Sequence, residues 1–531
     1  MSESIIPGFF SYEVDAKAEE NPNFEVITFE NGNGDDEILT YKNIVSKGRK
    51  LVKTLKESGF GKGDVLALLM RNHPEFVYSL YATNLIGSIL LPIDPRIKGN
   101  RLAYVLKDSK AKGVIFTTEF QDNILPVLND FPEIKVIGTV CKKGMKKISN
   151  LPPLESVWMR PEENLPEDRC DDINAPMEII YTSGTTGDPK GVVLKNSRFA
   201  PFGMIAKSVF QYHQNDKLYT GLSLTHANAQ AVTLFPSLYL GIPSVISTKF
   251  TKSRIWDICR KYECTTFSLL GGMMVGIYSE PTKKNDADNP VRLVLSAGTP
   301  VSIWKSFEDR FGLFIHEWYG AVEGGFAHKP PGVGPIGSFG KPLDGVMEMK
   351  IFREDDTECK PFEIGEIVAR NISQKIVVEY LGKKEDSEKK TKGGWFRSGD
   401  MGHKDENGWF YFDFRKGGGL RRSGDFIQPG HVEAVFATHE DIIDVCVYGI
   451  PATSGSPGES DLVAAIVLAE GKKLDIDSLY AHCKEHLDSN SIPSYLQIVD
   501  EIPKTVSEKN LDRLLNDEFR QDADNVHIFA K

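Results

Sequence analysis

The sequence is poor in cysteine. Its seven residues (Cys141, Cys170, Cys259, Cys264, Cys359, Cys446 and Cys483) are scattered over 531 positions with no pair at a C-x-x-C spacing, which argues against a disulfide framework or a zinc site. It also lacks surplus positive charge: 63 Lys and Arg stand against 74 Asp and Glu, a net charge of −11. Such a field repels phosphate backbones and anionic membranes, so no nucleic-acid partner is expected. An anionic ligand would need a local site of fixed donors and basic side chains. No long apolar run is present either. The stretch from Leu218 to Thr248 carries no Asp, Glu, Lys or Arg, but His226, Asn228, Gln230, Pro236 and Pro243 interrupt it. No membrane span is therefore expected, because ~20 predominantly apolar residues are needed; the stretch reads as buried interior near a site. Residues 1–15 have neither a basic start nor an apolar core, so no secretory signal and a cytoplasmic location are expected.

What is present fits a large globular chain. Hydrophobic residues at 40%, charged residues at 26%, 47 Gly and 29 Pro exclude collagen-like, coiled-coil and disordered classes. At ~100–200 residues per domain the length implies at least two domains. From Thr40 onward amphipathic helical patterns alternate with short apolar runs, DVLALLM, SILLPID and KGVIFT. That alternation predicts an α/β fold with parallel sheets and helices on their faces. It resumes after Pro176 with a strand (MEIIYT), a Gly-rich loop, a second strand (GVVL) and a helix capped by Asn196 or Ser197. Near residue 400 the text changes to charged hairpins with a turn at Glu406-Asn407-Gly408. Gly417-Gly418-Gly419 then marks a candidate hinge, and the remaining ~115 residues read as a small α+β unit. The predicted division is 1–415, a large multi-subdomain α/β domain, and 416–531, a small mobile α+β domain.

The strongest local signal is YTSGTTGDPKG, Tyr181 to Gly191. Ser183, Thr185 and Thr186 supply hydroxyls, Gly184 and its neighbours let backbone N–H groups converge, and Lys190 adds a cation, which together make a phosphate cradle. It is not a Walker loop: Pro189 precedes and Gly191 follows Lys190, and the loop joins two strands instead of opening a helix.

This loop resembles that of the adenylate-forming superfamily, which includes acyl-CoA synthetases, and further segments similar to the family's follow in its order. These are SAGTP (Ser296–Pro300), WYGAVEGG (Trp318–Gly325), GSFGKP (Gly337–Pro342), RSGD (Arg397–Asp400), a strand ending at Arg415, and PKTVSEK (Pro503–Lys509). Tyr319 offers a face for a purine and Glu323 hard oxygens for Mg²⁺. The resemblance implies that Thr182 joins Glu323 at the metal, that Gly298 and Gly320 lie against the nucleotide, and that Asp400 and Arg415 hold the ribose. It also implies that Lys509 contacts the reacting carboxylate and α-phosphate, and that His226 stands at the acyl side of the site. Arg421 and Arg422 are read either as CoA phosphate contacts or as solvated charge. The continuation ANAQ after His226 is similar to the carnitine and crotonobetaine CoA-ligase branch.

The implied reaction consumes a small or medium carboxylic acid, Mg-ATP and CoA, and gives acyl-AMP and then a thioester. Two alternatives stay open, a stand-alone adenylation enzyme loading a carrier protein and a catalytically impaired nucleotide-binding homologue; a homo-oligomeric state is left open too. Three departures from the family pattern matter: Val322 stands where a Thr usually precedes the Glu, Phe414 where an Asp precedes Arg415, and Gly417 where the hinge is usually Asp or Lys.

Overall fold

The computed structural model describes residues 7–32, 34–161, 164–166, 168–182, 189–416, 420–422, 425–427, 429–453, 460–487, 489–505 and 510–529. Two sheets dominate. A six-stranded sheet runs, in spatial order, Lys135–Val140, Ala111–Thr117, Val65–Leu69, Ile89–Ile93, Pro176–Thr182 and Lys190–Lys195. Its first five strands are parallel and only the last is antiparallel. The second sheet has nine strands. Its six central strands, Phe314–Gly320, Leu293–Ala297, Thr266–Leu270, Leu218–Thr220, Ser244–Ser247 and Glu25–Glu30, are mutually parallel, with antiparallel edges on both sides. The expected α/β class and its parallel sheets are observed.

The apolar runs form strands because both faces are covered. In Val65–Leu69, Leu66 and Leu68 join the largest core cluster, while Val65, Ala67 and Leu69 join a second on the opposite face. A strand buried on both sides needs no polar alternation. Helices Tyr41–Glu57 and Pro74–Ile86 pack in the larger cluster together with residues of both sheets, such as Leu66, Leu90, Ile27 and Phe267, and so lie between them. Pro74–Ile86 is buried at every position, as expected for a helix apolar all round in a central layer.

A four-stranded antiparallel sheet follows, Met347–Phe352, Gly365–Asn371, Phe396–Lys404 and Phe410–Arg415, and contains the expected charged hairpins. Beyond residue 420 come the short pair Leu420–Arg422 and Asp425–Ile427 and a sheet of Ile442–Pro451, Ser460–Leu468, Tyr495–Ile498 and Val526–Ile528. Helices Pro429–Phe436 and Ile476–His486 cover it through Val432, Phe436, Leu479 and Cys483. The apolar clusters of this region hold no residue before Leu420. The expected hinge, Gly417–Gly419, lies outside the described residues.

One local expectation is corrected. The helix after the second strand starts at Phe199, following a 3₁₀ turn at Asn196–Arg198, and no side chain caps it. Asn196 is buried instead, donating to the Ala175 carbonyl at 3.1 Å and accepting from the Asn84 amide. Pairing two buried amides satisfies them better than an exposed cap would.

Close backbone approach fixes the SAGTP loop. A Cβ on Gly271, the first residue of helix Gly271–Tyr278, would lie 2.0 Å from the Gly298 carbonyl oxygen. Gly271→Ala is expected to destabilise the protein by ~1–3 kcal/mol through that collision and to raise KM for ATP by displacing the loop; urea denaturation and steady-state kinetics check both.

Candidate active site

Strand alternation assembles the site. Along Phe314–Gly320, Trp318 packs beside Phe210 and Phe326, while Tyr319 joins a different cluster with Phe339, Tyr380 and Phe396. Tyr319 stacks on Phe339 with ring centroids 4.5 Å apart and donates its hydroxyl to Asp400 Oδ2 at 2.6 Å. Asp400 is buried, donates its backbone N–H to Ser398 Oγ at 2.9 Å, and pairs through its carboxylate with Arg415 Nε at 3.2 Å. Arg415 is the register partner of Asp400 on the neighbouring strand, so the pair is fixed by the ladder. Burial and the adjoining carboxylate push the Tyr319 phenol well up, which keeps it a donor.

Facing this chain is a second group. Glu323 Oε1 accepts the Tyr380 hydroxyl at 2.9 Å. Lys190 sits 5.4 Å from the centre of the Tyr380 ring and pairs with Asp386 at 2.7 Å. Thr182 and Lys190 are direct register partners across the hairpin, on the side where Ile180, Val192 and Leu194 meet the cluster of Tyr319 and Tyr380. The residues expected to cradle phosphate between them, Ser183, Gly184, Thr185 and Thr186, lie outside the described residues, as does Lys509.

Gly298 has φ +80°, and a Cβ there would meet nothing within 4 Å, so its Cα faces open space. Gly320 is exposed at the end of its strand. Arg422 donates to the carbonyls of Ile492 and of Asn490, the latter at 3.4 Å, an anchor within its own unit that competes with the CoA reading. The Arg421 side chain lies outside the described residues. His226 accepts the Asn228 N–H on Nδ1 at 3.2 Å, and burial lowers it to about 4, so the ring is neutral at pH 7 with its proton on Nε2.

Three contributors were not singled out from the sequence. Lys390 donates to the carbonyls of Arg397 and Ser398 at 2.8 and 3.0 Å, holding the turn before Asp400, and burial pushes its ammonium below the usual lysine range. Arg198 donates to the Val322 carbonyl and lines, with Glu323, Lys195 and Lys375, a cavity of about 250 Å³. Glu317 receives the N–H groups of Gly298 at 2.7 Å and Thr299 at 3.2 Å, and burial raises it to about 7. Of these, only Glu317 had a legible signal, its place two residues before Tyr319.

Among the described residues no three His, Cys, Asp or Glu gather as a metal cage. Glu323, with one oxygen engaged by Tyr380, suits Mg²⁺ held by a single carboxylate and substrate phosphates.

Residues 14–376 match the AMP-binding enzyme family, and residues 431–509 match its C-terminal domain. The chain belongs to this family of adenylate-forming enzymes. It is 27% identical to the crotonobetaine/carnitine–CoA ligase of Citrobacter koseri, over 93% of this chain and 96% of that protein. It is also 27% identical to the long-chain fatty acid transport protein 2 of Rattus norvegicus, over 88% and 80%. The fold matches the o-succinylbenzoate CoA synthetase of Bacillus subtilis in complex with its acyl-adenylate (TM-score 0.80, 22% identity, 96% and 98% coverage). An anthranilate CoA ligase in complex with anthranoyl-AMP matches with TM-score 0.82, 21% identity, and 97% and 98% coverage. The resemblance thus extends beyond the motifs to most of the length of this AMP-binding enzyme, and no described helix is long and apolar enough to cross a membrane.

Glu317 makes a pH prediction. Its folded value, about 7, lies above the 4.5 of the unfolded chain. Its contribution to stability is therefore full below about 4.5 and is lost as pH rises to about 7. Glu317→Gln should flatten that fall relative to wild type; equal slopes in urea titrations across this window would refute the assignment.

Proposed function

We propose that the protein activates a small or medium organic carboxylic acid with Mg-ATP to acyl-AMP and pyrophosphate, then transfers the acyl group to CoA, releasing AMP. The observation that carries this reading is the meeting of two groups: the Tyr319–Asp400–Arg415 chain, suited to a purine and a ribose, and the Glu323–Tyr380–Lys190 group, suited to metal-bound phosphates.

No protein nucleophile is needed. The acid's carboxylate attacks the α-phosphorus, and the protein supplies position and charge. Asp400 accepts from the ribose hydroxyls, Arg415 steadies that carboxylate, and Gly298 leaves room along the adenine. Lys190 exchanges Asp386 for a phosphate oxygen, and Glu323 and Thr182 would hold Mg²⁺, which would supply positive charge against the phosphates. Ser183, Gly184, Thr185 and Thr186 complete the cradle, and Gly320 lets the nucleotide approach. Lys509 is assigned to the developing charge on the α-phosphate and His226 to the acyl side. Arg421 is kept as a CoA contact. Arg422 serves the 416–531 unit, which we read as a separate lid on the 1–415 domain; a cytoplasmic location belongs to the same reading.

Pyrophosphate release dependent on an added acid, and thioester formation on adding CoA, test the two halves. Absence of the first with a broad acid panel would refute acid activation, and an acyl-AMP that CoA does not discharge would favour a carrier protein. Asp386→Asn should lower KM for ATP by up to ~5-fold, since it removes an exposed competitor for Lys190 of the strength expected for such ion pairs. Val322→Thr, which adds a hydroxyl beside Glu323, should change KM for ATP or kcat modestly; no change in either would show that the position is uncoupled from the phosphate.

A further inference from the structure

The segment after His226 leaves one buried side chain without a partner. Asn228 is 3% exposed, and among the described residues neither its amide nitrogen nor its amide oxygen has a hydrogen-bond partner. An amide can donate twice and accept twice, and buried amides in folded proteins are nearly always satisfied. Asn228 makes none of these bonds among the described residues.

Its neighbours Gln230 and Glu178 share the problem only in part. Gln230 Oε1 and Glu178 Oε2 are also unpaired, but their side chains already meet, with Gln230 Nε2 on Glu178 Oε1 at 3.3 Å. Burial raises Glu178 to about 8. Asn228 remains alone, immediately before the π-helical turn Ala229–Leu234, a widened turn of the kind often found at functional sites.

The position of this segment gives the orphan amide a use. Ala227 packs in the cluster of Tyr319, Ala321 and Val322, beside the nucleotide group. Val232 packs in the cluster of Trp318, whose indole N–H is likewise buried and unpaired. His226 adds a neutral ring with its proton on Nε2. The three side chains His226, Asn228 and Trp318 offer hydrogen bonds and carry no formal charge themselves.

We propose that Asn228 recognises an uncharged hydrogen-bonding substituent, a hydroxyl or carboxamide, on the acyl part of the acid substrate. Such recognition disfavours plain hydrocarbon acids, which would leave the amide unpaired, and acids with a fixed cation such as a quaternary ammonium, for which a neutral amide supplies no counter-charge. The proposal rests on the acid-activation reading above. It selects a substrate class within that reading.

The test uses sets of acids matched in length that end in methyl, hydroxyl, carboxamide or trimethylammonium, assayed by pyrophosphate release. It also uses non-hydrolysable acyl-sulfamoyl adenosines with the same acyl groups, assayed by binding. Wild type should prefer the hydroxyl or carboxamide member over the methyl member by about 10²-fold or more in kcat/KM. Asn228→Leu should abolish or reverse that preference while leaving affinity for AMP unchanged, which shows that the variant is folded. Equal or better use of the methyl or trimethylammonium acid by wild type overturns the proposal, and so does unchanged selectivity in Asn228→Leu. If every adenylate mimic binds alike, only this inference fails. If none binds, acid activation fails, and this inference with it.

Discussion

Asp400 is the point on which the candidate site depends. One carboxylate takes the hydroxyl of Tyr319 from the nine-stranded sheet and the guanidinium of Arg415 from its own antiparallel sheet. It therefore adds a side-chain link between two sheets that also meet at the backbone bridge of Gly340 and Phe410. A buried carboxylate needs such donors, because a buried polar group without partners is costly. The same geometry aims the Tyr319 ring: stacked on Phe339, it is held at one end by packing and at the other by a charge-assisted hydrogen bond. Lys390 supports the arrangement from below by fastening the carbonyls of Arg397 and Ser398, just before the aspartate.

The site mixes buried and solvated charge in a way that sorts its parts by task. Glu317 and Glu178 are buried, raised and turned inward, and they hold the SAGTP loop and the segment after His226. Lys190 and Arg415 are substantially exposed, each paired with a carboxylate. Groups that shape the backbone are thus withdrawn from water, and groups that would meet an anion keep contact with it. For a chain of net charge −11 the sorting matters, since attraction of a polyanion must come from these few cations.

Much of the fold was legible because strands buried on both faces read as continuous apolar runs, and because helices with one apolar stripe separate them. The motif residues were legible where the chemistry is compressed into a few adjacent positions, as in Tyr181–Gly191 and Trp318–Gly325. What escaped was assembled from afar. Strand Glu25–Glu30 pairs with Ser244–Ser247, more than two hundred positions later, and its half-polar text gives no sign of a place in the central sheet. Lys390 sits in a run, Lys389-Lys390-Thr391-Lys392, that reads as a solvated face; only tertiary burial turns one of its ammonium groups toward carbonyls. Asn196 fits the pattern of a helix cap, but a buried amide partner, Asn84, 112 positions earlier, claimed it.

The hairpin that carries Thr182 and Lys190 behaves as a frame of fixed width. Its rungs continue in register from Glu178 and Leu194 up to that last pair, so the separation of the two anchors is set by the ladder and not by the seven residues between them. The phosphate contacts proposed for that segment thus start from two anchors whose spacing belongs to the sheet.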